Sequence, residues 1–219
     1  MTNRTVIIAG ATGLVGRELL RGLLADPAVD QVHVVGRRAP PVASPKLTAH
    51  VVDFAALPPL PRADELYLAL GTTIKVAGSQ AAFRAIDHDA NLAVAKAALA
   101  SGTTRVGLVS AMGADAASSI FYSRVKGELE DDLSALPFGG LVIARPSLLV
   151  GARAELGQPS RSGEEWGNTL NKIFGFLIPA NYKPIEAADV ANALLANVPS
   201  AAGKRVLLSG EMRGAPKRA

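Results

Sequence analysis

The 219-residue chain has no cysteine, few aromatics, no block of like charge and no long apolar run. Without cysteine, disulfides, thiolate metal sites and cysteine nucleophiles are all excluded, and no metal centre is expected. Aromatic residues make up only 5% of the chain, and its adjacent basic pairs are Arg37–Arg38, Lys204–Arg205 and Lys217–Arg218. A nucleic-acid surface shows a basic stripe with interleaved aromatics, so the net charge of +4 does not make nucleic acid an expected partner. No stretch reaches the ~18 uninterrupted apolar residues of a membrane span, and no membrane association is expected. The start, MTNRTVIIAGATG, enters a strand-and-turn pattern at once. It has no charged n-region followed by a long apolar run, so no secretory signal is read and a cytoplasmic protein is expected.

What is present is an alternation. Short β-rich runs at 5–10, 31–36, 49–54, 65–70, 105–110, 140–146 and 204–210 are separated by helical patterns at 13–26, 79–102, 119–135 and 186–198. Such an order predicts an α/β fold, a doubly wound, mostly parallel sheet with helices on both faces. The proline-rich stretch 57–64 is too short for a domain linker, so a single domain over 1–219 is expected. Residues 147–185 break the rhythm with a polar loop and an apolar segment, and are read as a small cap at the sheet's C-terminal edge.

Between the first strand and the first helix stand Gly10, Gly13 and Gly16, spaced G-x-x-G-x-x-G. Glycines there let the chain turn sharply and let backbone amides approach an anion at the helix N-terminus. Dinucleotide binding is the expected use, with Gly10, Thr12, Gly13, Leu14, Val15 and Gly16 around the cofactor. At the end of the second strand, where an NAD site usually places a carboxylate, the chain has Arg37 and Arg38. Two guanidiniums match a 2′-phosphate in charge and forked geometry, so NADP(H) is expected in preference to NAD(H). Ligands in such sheets sit beyond the strands' carboxyl ends. Asp53 and Phe54 close the third strand and Leu70, Gly71, Thr72 and Thr73 the fourth, and all six are expected at the cofactor; Asp53 could instead cap a turn.

Tyr122 and Lys126 are four residues apart on one side of a helix, and Ser110 closes the fifth strand. A phenol is a poor acid–base group at neutral pH, and a nearby ammonium favours its phenolate form. A serine hydroxyl at the strand end can hold a substrate carbonyl, so Ser110, Tyr122 and Lys126 form a candidate catalytic centre. Lys126 is also placed to reach a nicotinamide ribose. Against this stands a simpler reading, in which Lys126–Glu130 and Arg124–Glu128 are surface ion pairs.

Taken together, Gly10-x-x-Gly13-x-x-Gly16, Ser110 and Tyr122-x-x-x-Lys126 resemble the short-chain dehydrogenase/reductase superfamily. More narrowly, GRR, VVDF, LGTT, GAD, FYSRVKGELE and ARPSLLVGAR…RSGEEW are similar in order to its atypical branch containing the Tat-interacting oxidoreductase-like proteins. The resemblance implies a Rossmann-like fold with bound NADP(H), the usual roles for Ser110, Tyr122 and Lys126, and Arg145–Pro146 beside the nicotinamide. The activity expected is an NADP-dependent oxidoreductase acting on a small carbonyl or alcohol. Two other functions remain open at this level: a cofactor-sensing regulator that binds NADPH and signals through a protein partner, and a sugar-nucleotide epimerase. Trp166 and the apolar run IFGFLI fit a substrate pocket or a homodimer contact equally well.

Overall fold

The computed structural model describes residues 3–150 and 179–215. Seven strands form one sheet: β1 (Arg4–Ala9), β2 (Val29–Gly36), β3 (Leu47–Val51), β4 (Glu65–Leu68), β5 (Arg105–Val109), β6 (Gly140–Arg145) and β9 (Gly203–Leu208). Their order is β3-β2-β1-β4-β5-β6-β9, and every neighbouring pair is parallel. A second, two-stranded parallel sheet joins β7 (Leu149–Val150) to β8 (Ile185–Glu186).

The sheet is covered on both faces because its central strands are apolar on both. In β1, Val6 and Ile8 face a cluster containing Leu19, Leu20 and Leu23 of α1 (Leu14–Ala25). The intervening Ile7 and Ala9 face the opposite cluster. That cluster takes Val94 and Ala98 from α4 (Asn91–Ala100) and Leu129 and Leu133 from α5 (Phe121–Ala135). The α1 side also receives Val190 and Leu194 of α6 (Ala187–Asn197). Strand order reverses between β1 and β4, which opens a crevice beyond the carboxyl ends of those two strands.

The expected doubly wound architecture is present, and the differences lie in details. The single helix expected over 79–102 is α3 (Gln80–Arg84), a π-helical turn (Ala85–Ala90) and α4, preceded by the short α2 (Ile74–Ala77). The wide turn has an internal partner: the Asn91 side-chain amide donates to the carbonyls of Leu70, Ile86 and Asp87. The third strand, expected to reach 54, stops at Val51, and Asp53 starts a single 3-10 turn at Phe54–Ala56. The last strand stops at Leu208, followed by one helical turn, α7 (Ser209–Met212). Most of the expected cap, with Arg153, Arg161, Glu164, Trp166 and IFGFLI, lies outside the described residues.

One polar group is sealed at the amino ends of the strands. Glu65 is fully buried and accepts from Arg4 Nη1 at 2.6 Å and from the Tyr67 hydroxyl at 2.9 Å. Removing the carboxylate leaves a largely buried guanidinium and a buried phenol without this acceptor. Arg4 keeps Asp26 at 2.5 Å, so Glu65→Ala is expected to lower stability by about 1–3 kcal/mol, read from the urea midpoint at constant m-value.

Candidate functional site

The three glycines do different work. Gly10 sits at φ +91°, and a Cβ there would lie 2.3 Å from the carbonyl carbon of Ala69. A Cβ on Gly16 would lie 1.9 Å from the Gly10 carbonyl oxygen. Both positions are dictated by the chain's own packing. At Gly13 the nearest atom to an added Cβ is the Gly10 oxygen, at an ordinary 3.5 Å. The fold itself therefore leaves room at Gly13, the N-cap residue of α1, where no side chain covers the helix's free N–H groups. A cradle that a Cβ would fill suits a ligand's close approach to the backbone.

A cleft of about 480 Å³ runs from this turn across the carboxyl ends of β2 and β4. Gly10, Thr12 and Gly13 line it on one side, Leu70, Gly71 and Thr72 on another, and Phe54 closes it from the end of β3. Arg37 and Arg38 reach it from the end of β2, and Arg17 joins them from the first turn of α1. All three arginines are exposed, and none pairs with a carboxylate among the described residues. Asp53 is elsewhere: it is exposed, lines neither this cleft nor its neighbour, and accepts from Ala55 N at 3.0 Å as a turn cap.

A second cleft, about 210 Å³, shares Gly13, Leu70, Gly71 and Thr72 with the first. Ser110 from the end of β5 and Tyr122 and Lys126 from α5 line it together, with Leu14, Val15, Thr73 and Pro146. The Tyr122 ring lies 5.5 Å from that of Phe83. Gly16 touches neither cleft, its role being the turn. Arg145 also lines neither; its guanidinium holds Glu130 through contacts of 2.6, 3.0 and 3.1 Å.

The surface ion pairs weighed against catalysis do not form. Lys126 is only 4% exposed, and its ammonium lies 2.7 Å from Asp87 Oδ1 instead of on Glu130. Glu130, 2% exposed, takes Arg145 and a 2.5 Å hydrogen bond donated by Ser110 Oγ. Glu128 pairs with Arg84, while Arg124 donates to the Ser118 carbonyl at 2.8 Å. Burial pushes the Asp87 carboxyl up from its usual range, opposed by the Lys126 ammonium and the Thr72 N–H.

Arg17, Asp87, Asn91 and Glu130 escaped the sequence reading. Arg17 carried a signal, a cation directly after the third glycine. Asp87 and Asn91 were hidden in a pattern read as one regular helix, and Glu130 passed as the far end of a surface pair.

The semialdehyde dehydrogenase, NAD binding domain, family matches residues 5–128, more than half of the chain. Protein fmp52, mitochondrial, of Emericella nidulans is 38% identical over 185 residues, covering 78% of each chain. Protein FMP52, mitochondrial, of Candida albicans is 36% identical over 204 residues, covering 87% of this chain and 86% of its own. The chain belongs to this NAD(P)-binding Rossmann family, as a homologue of the FMP52 proteins. Their similarity places it in the atypical short-chain dehydrogenase/reductase group.

Solved structures agree on the fold. MoeE5 in complex with UDP-glucose and NAD superposes with a TM-score of 0.67 at 15% identity, covering 93% of this chain and 76% of its own. The oxidoreductase ylbE from Lactococcus lactis gives 0.63 at 18%, covering 92% and 89%. The relatives also correct one expectation. The FMP52 homologues are named mitochondrial, which overturns the cytoplasmic placement. Excluding a secretory signal and a membrane span left other compartments open, so the cytoplasm did not follow.

Proposed function

We propose that the protein is an NADP-dependent oxidoreductase of the atypical short-chain type, acting on a small carbonyl or alcohol through Ser110, Tyr122 and Lys126. One observation carries the reading: those three side chains line a cleft that opens through Gly13, Leu70, Gly71 and Thr72 into the glycine-turn cleft. The turn would hold the dinucleotide's phosphates, and Arg17, Arg37 and Arg38 the 2′-phosphate. The nicotinamide, when bound, supplies or accepts a hydride. The chain's own part is to bind the substrate oxygen and to move a proton at Tyr122 Oη, with Lys126 stabilising the phenolate form. The sequence resembles the Tat-interacting branch, and its relatives' names support work in the mitochondrion.

NADP is tested against NAD by thermal midpoint. Ligand at about a hundred times its Kd stabilises by ~2.7 kcal/mol, so NADP should raise the midpoint several degrees and NAD much less. Arg37→Ala should lower NADP affinity by about ten- to a hundredfold and leave NAD unchanged, as for loss of one charged hydrogen bond. Equal shifts by both cofactors in the wild type would remove the NADP preference.

One contact favours a second reading, a regulator that binds NADPH with little turnover and acts through a protein partner or a homodimer. Ser110 already donates its proton to Glu130 and has none left for a substrate carbonyl. Calorimetric titration of NADPH followed by a broad carbonyl screen separates the two. Tight binding without turnover on any substrate selects the regulator.

A further inference from the structure

Lys126 lines the second cleft beside Gly71, a residue that both clefts share, and its surroundings show what holds it there. The carboxylate four residues on, Glu130, is taken up by Arg145 and Ser110. Asp87 fills that place from the π-helical turn, 1% exposed and 2.7 Å from the ammonium. Its other oxygen, Oδ2, accepts from Thr72 N at 2.8 Å, so the same carboxylate fixes the cleft wall. The wall wraps closely: a Cβ at Gly71 would lie 3.4 Å from Asp87 Oδ1 and 3.9 Å from Lys126 Nζ. Asn91, one turn after Asp87, holds the preceding Leu70 carbonyl at 3.1 Å.

The two charges are in direct contact at 2.7 Å, and both are buried. An ammonium has three N–H donors, so the contact with this one carboxylate oxygen leaves donors for an incoming ligand. A lysine tethered in this way is placed without being consumed. The tether comes from the π turn, a form of helix that recurs at functional sites.

We propose that Asp87 is a positioning residue that fixes Lys126 for the nicotinamide-ribose half of the dinucleotide and ties it to the Gly71–Thr72 wall. This rests on the cofactor reading above. The two are separated by comparing NADPH with 2′,5′-ADP, a fragment that lacks the nicotinamide half. In calorimetric titrations Asp87→Asn should weaken NADPH by about ten- to a hundredfold, as expected for a charged hydrogen-bonding group, and leave 2′,5′-ADP unchanged. A purely structural role would weaken both ligands alike, and either that result or no change in either would overturn the proposal. A wild type that binds neither ligand would instead overturn the cofactor reading. Because Asp87→Asn leaves a buried ammonium without its carboxylate, the neutral pair is the second arm. Asp87→Asn in a Lys126→Gln background should bind NADPH as weakly as Lys126→Gln alone. A further loss in the double variant would show that Asp87 acts on something other than Lys126.

Discussion

Tyr122→Phe is expected to bind NADPH as the wild type does and to turn over about 10²- to 10⁴-fold more slowly, the range for loss of one positioned acid–base group. The fold should survive, because the ring keeps its place 5.5 Å from Phe83 and only the hydroxyl is lost. No neighbour can take over easily. Ser110 donates its hydroxyl hydrogen to Glu130 at 2.5 Å, and the Lys126 ammonium is assigned to the nicotinamide ribose and to the Tyr122 phenolate rather than to the substrate oxygen. Of the three candidate catalytic residues in the second cleft, Tyr122 is the one left to give a proton to a substrate oxygen. The measurement is kcat on whichever aldehyde or ketone the wild type reduces, with Kd for NADPH measured in parallel. Full activity in Tyr122→Phe would end its assignment as proton donor. A fall in NADPH affinity matching the fall in rate would make the hydroxyl a binding group instead.

The fold was legible because its signals are local and repeated. Strands such as TVIIAG and GLVIAR are apolar on both faces, and that pattern admits a sheet covered on both sides. Gly10 and Gly16 were legible for the same reason, since a strand-to-helix turn with no Cβ leaves few alternatives. What stayed hidden depends on pairing between distant segments. Lys126 and Glu130 stand at the spacing of a helical ion pair, yet each is buried on a different partner, Asp87 and Arg145. Spacing along one helix cannot show that β6 and the π turn offer closer opposite charges. The π turn was equally invisible, because an alanine-rich run satisfies helical periodicity whether or not one turn is widened. Asp53 shows the limit from the other side: its position at a strand end admitted cofactor contact and turn capping alike, and the structure places it on Ala55 N.

Gly16→Ala should lose both stability and cofactor, and Gly13→Ala chiefly the cofactor. At Gly16 the added methyl would stand 1.9 Å from the Gly10 oxygen, 2.7 Å from its carbonyl carbon and 3.0 Å from Ala11 Cα. All three are backbone atoms, so no side chain can swing aside. Gly10 cannot retreat either, since its own added Cβ would be 2.3 Å from Ala69 and its backbone is already packed there. The start of α1 must move away from β1, at a cost of about 3 kcal/mol, the upper end for overpacking, or some 6–12 °C in thermal midpoint. Moving α1 also carries Leu14, Val15 and Arg17 off the clefts they line, so NADPH affinity should fall with stability. At Gly13 the nearest contact would be 3.5 Å, which brings no steric strain and costs the empty protein well under the ~3 kcal/mol at Gly16. If that room exists for a dinucleotide, Gly13→Ala keeps the midpoint of the ligand-free protein better than Gly16→Ala does and loses most of the midpoint rise that NADPH gives the wild type. A Gly13→Ala protein that gains the full rise would show that the space beside the turn is not where the cofactor lies.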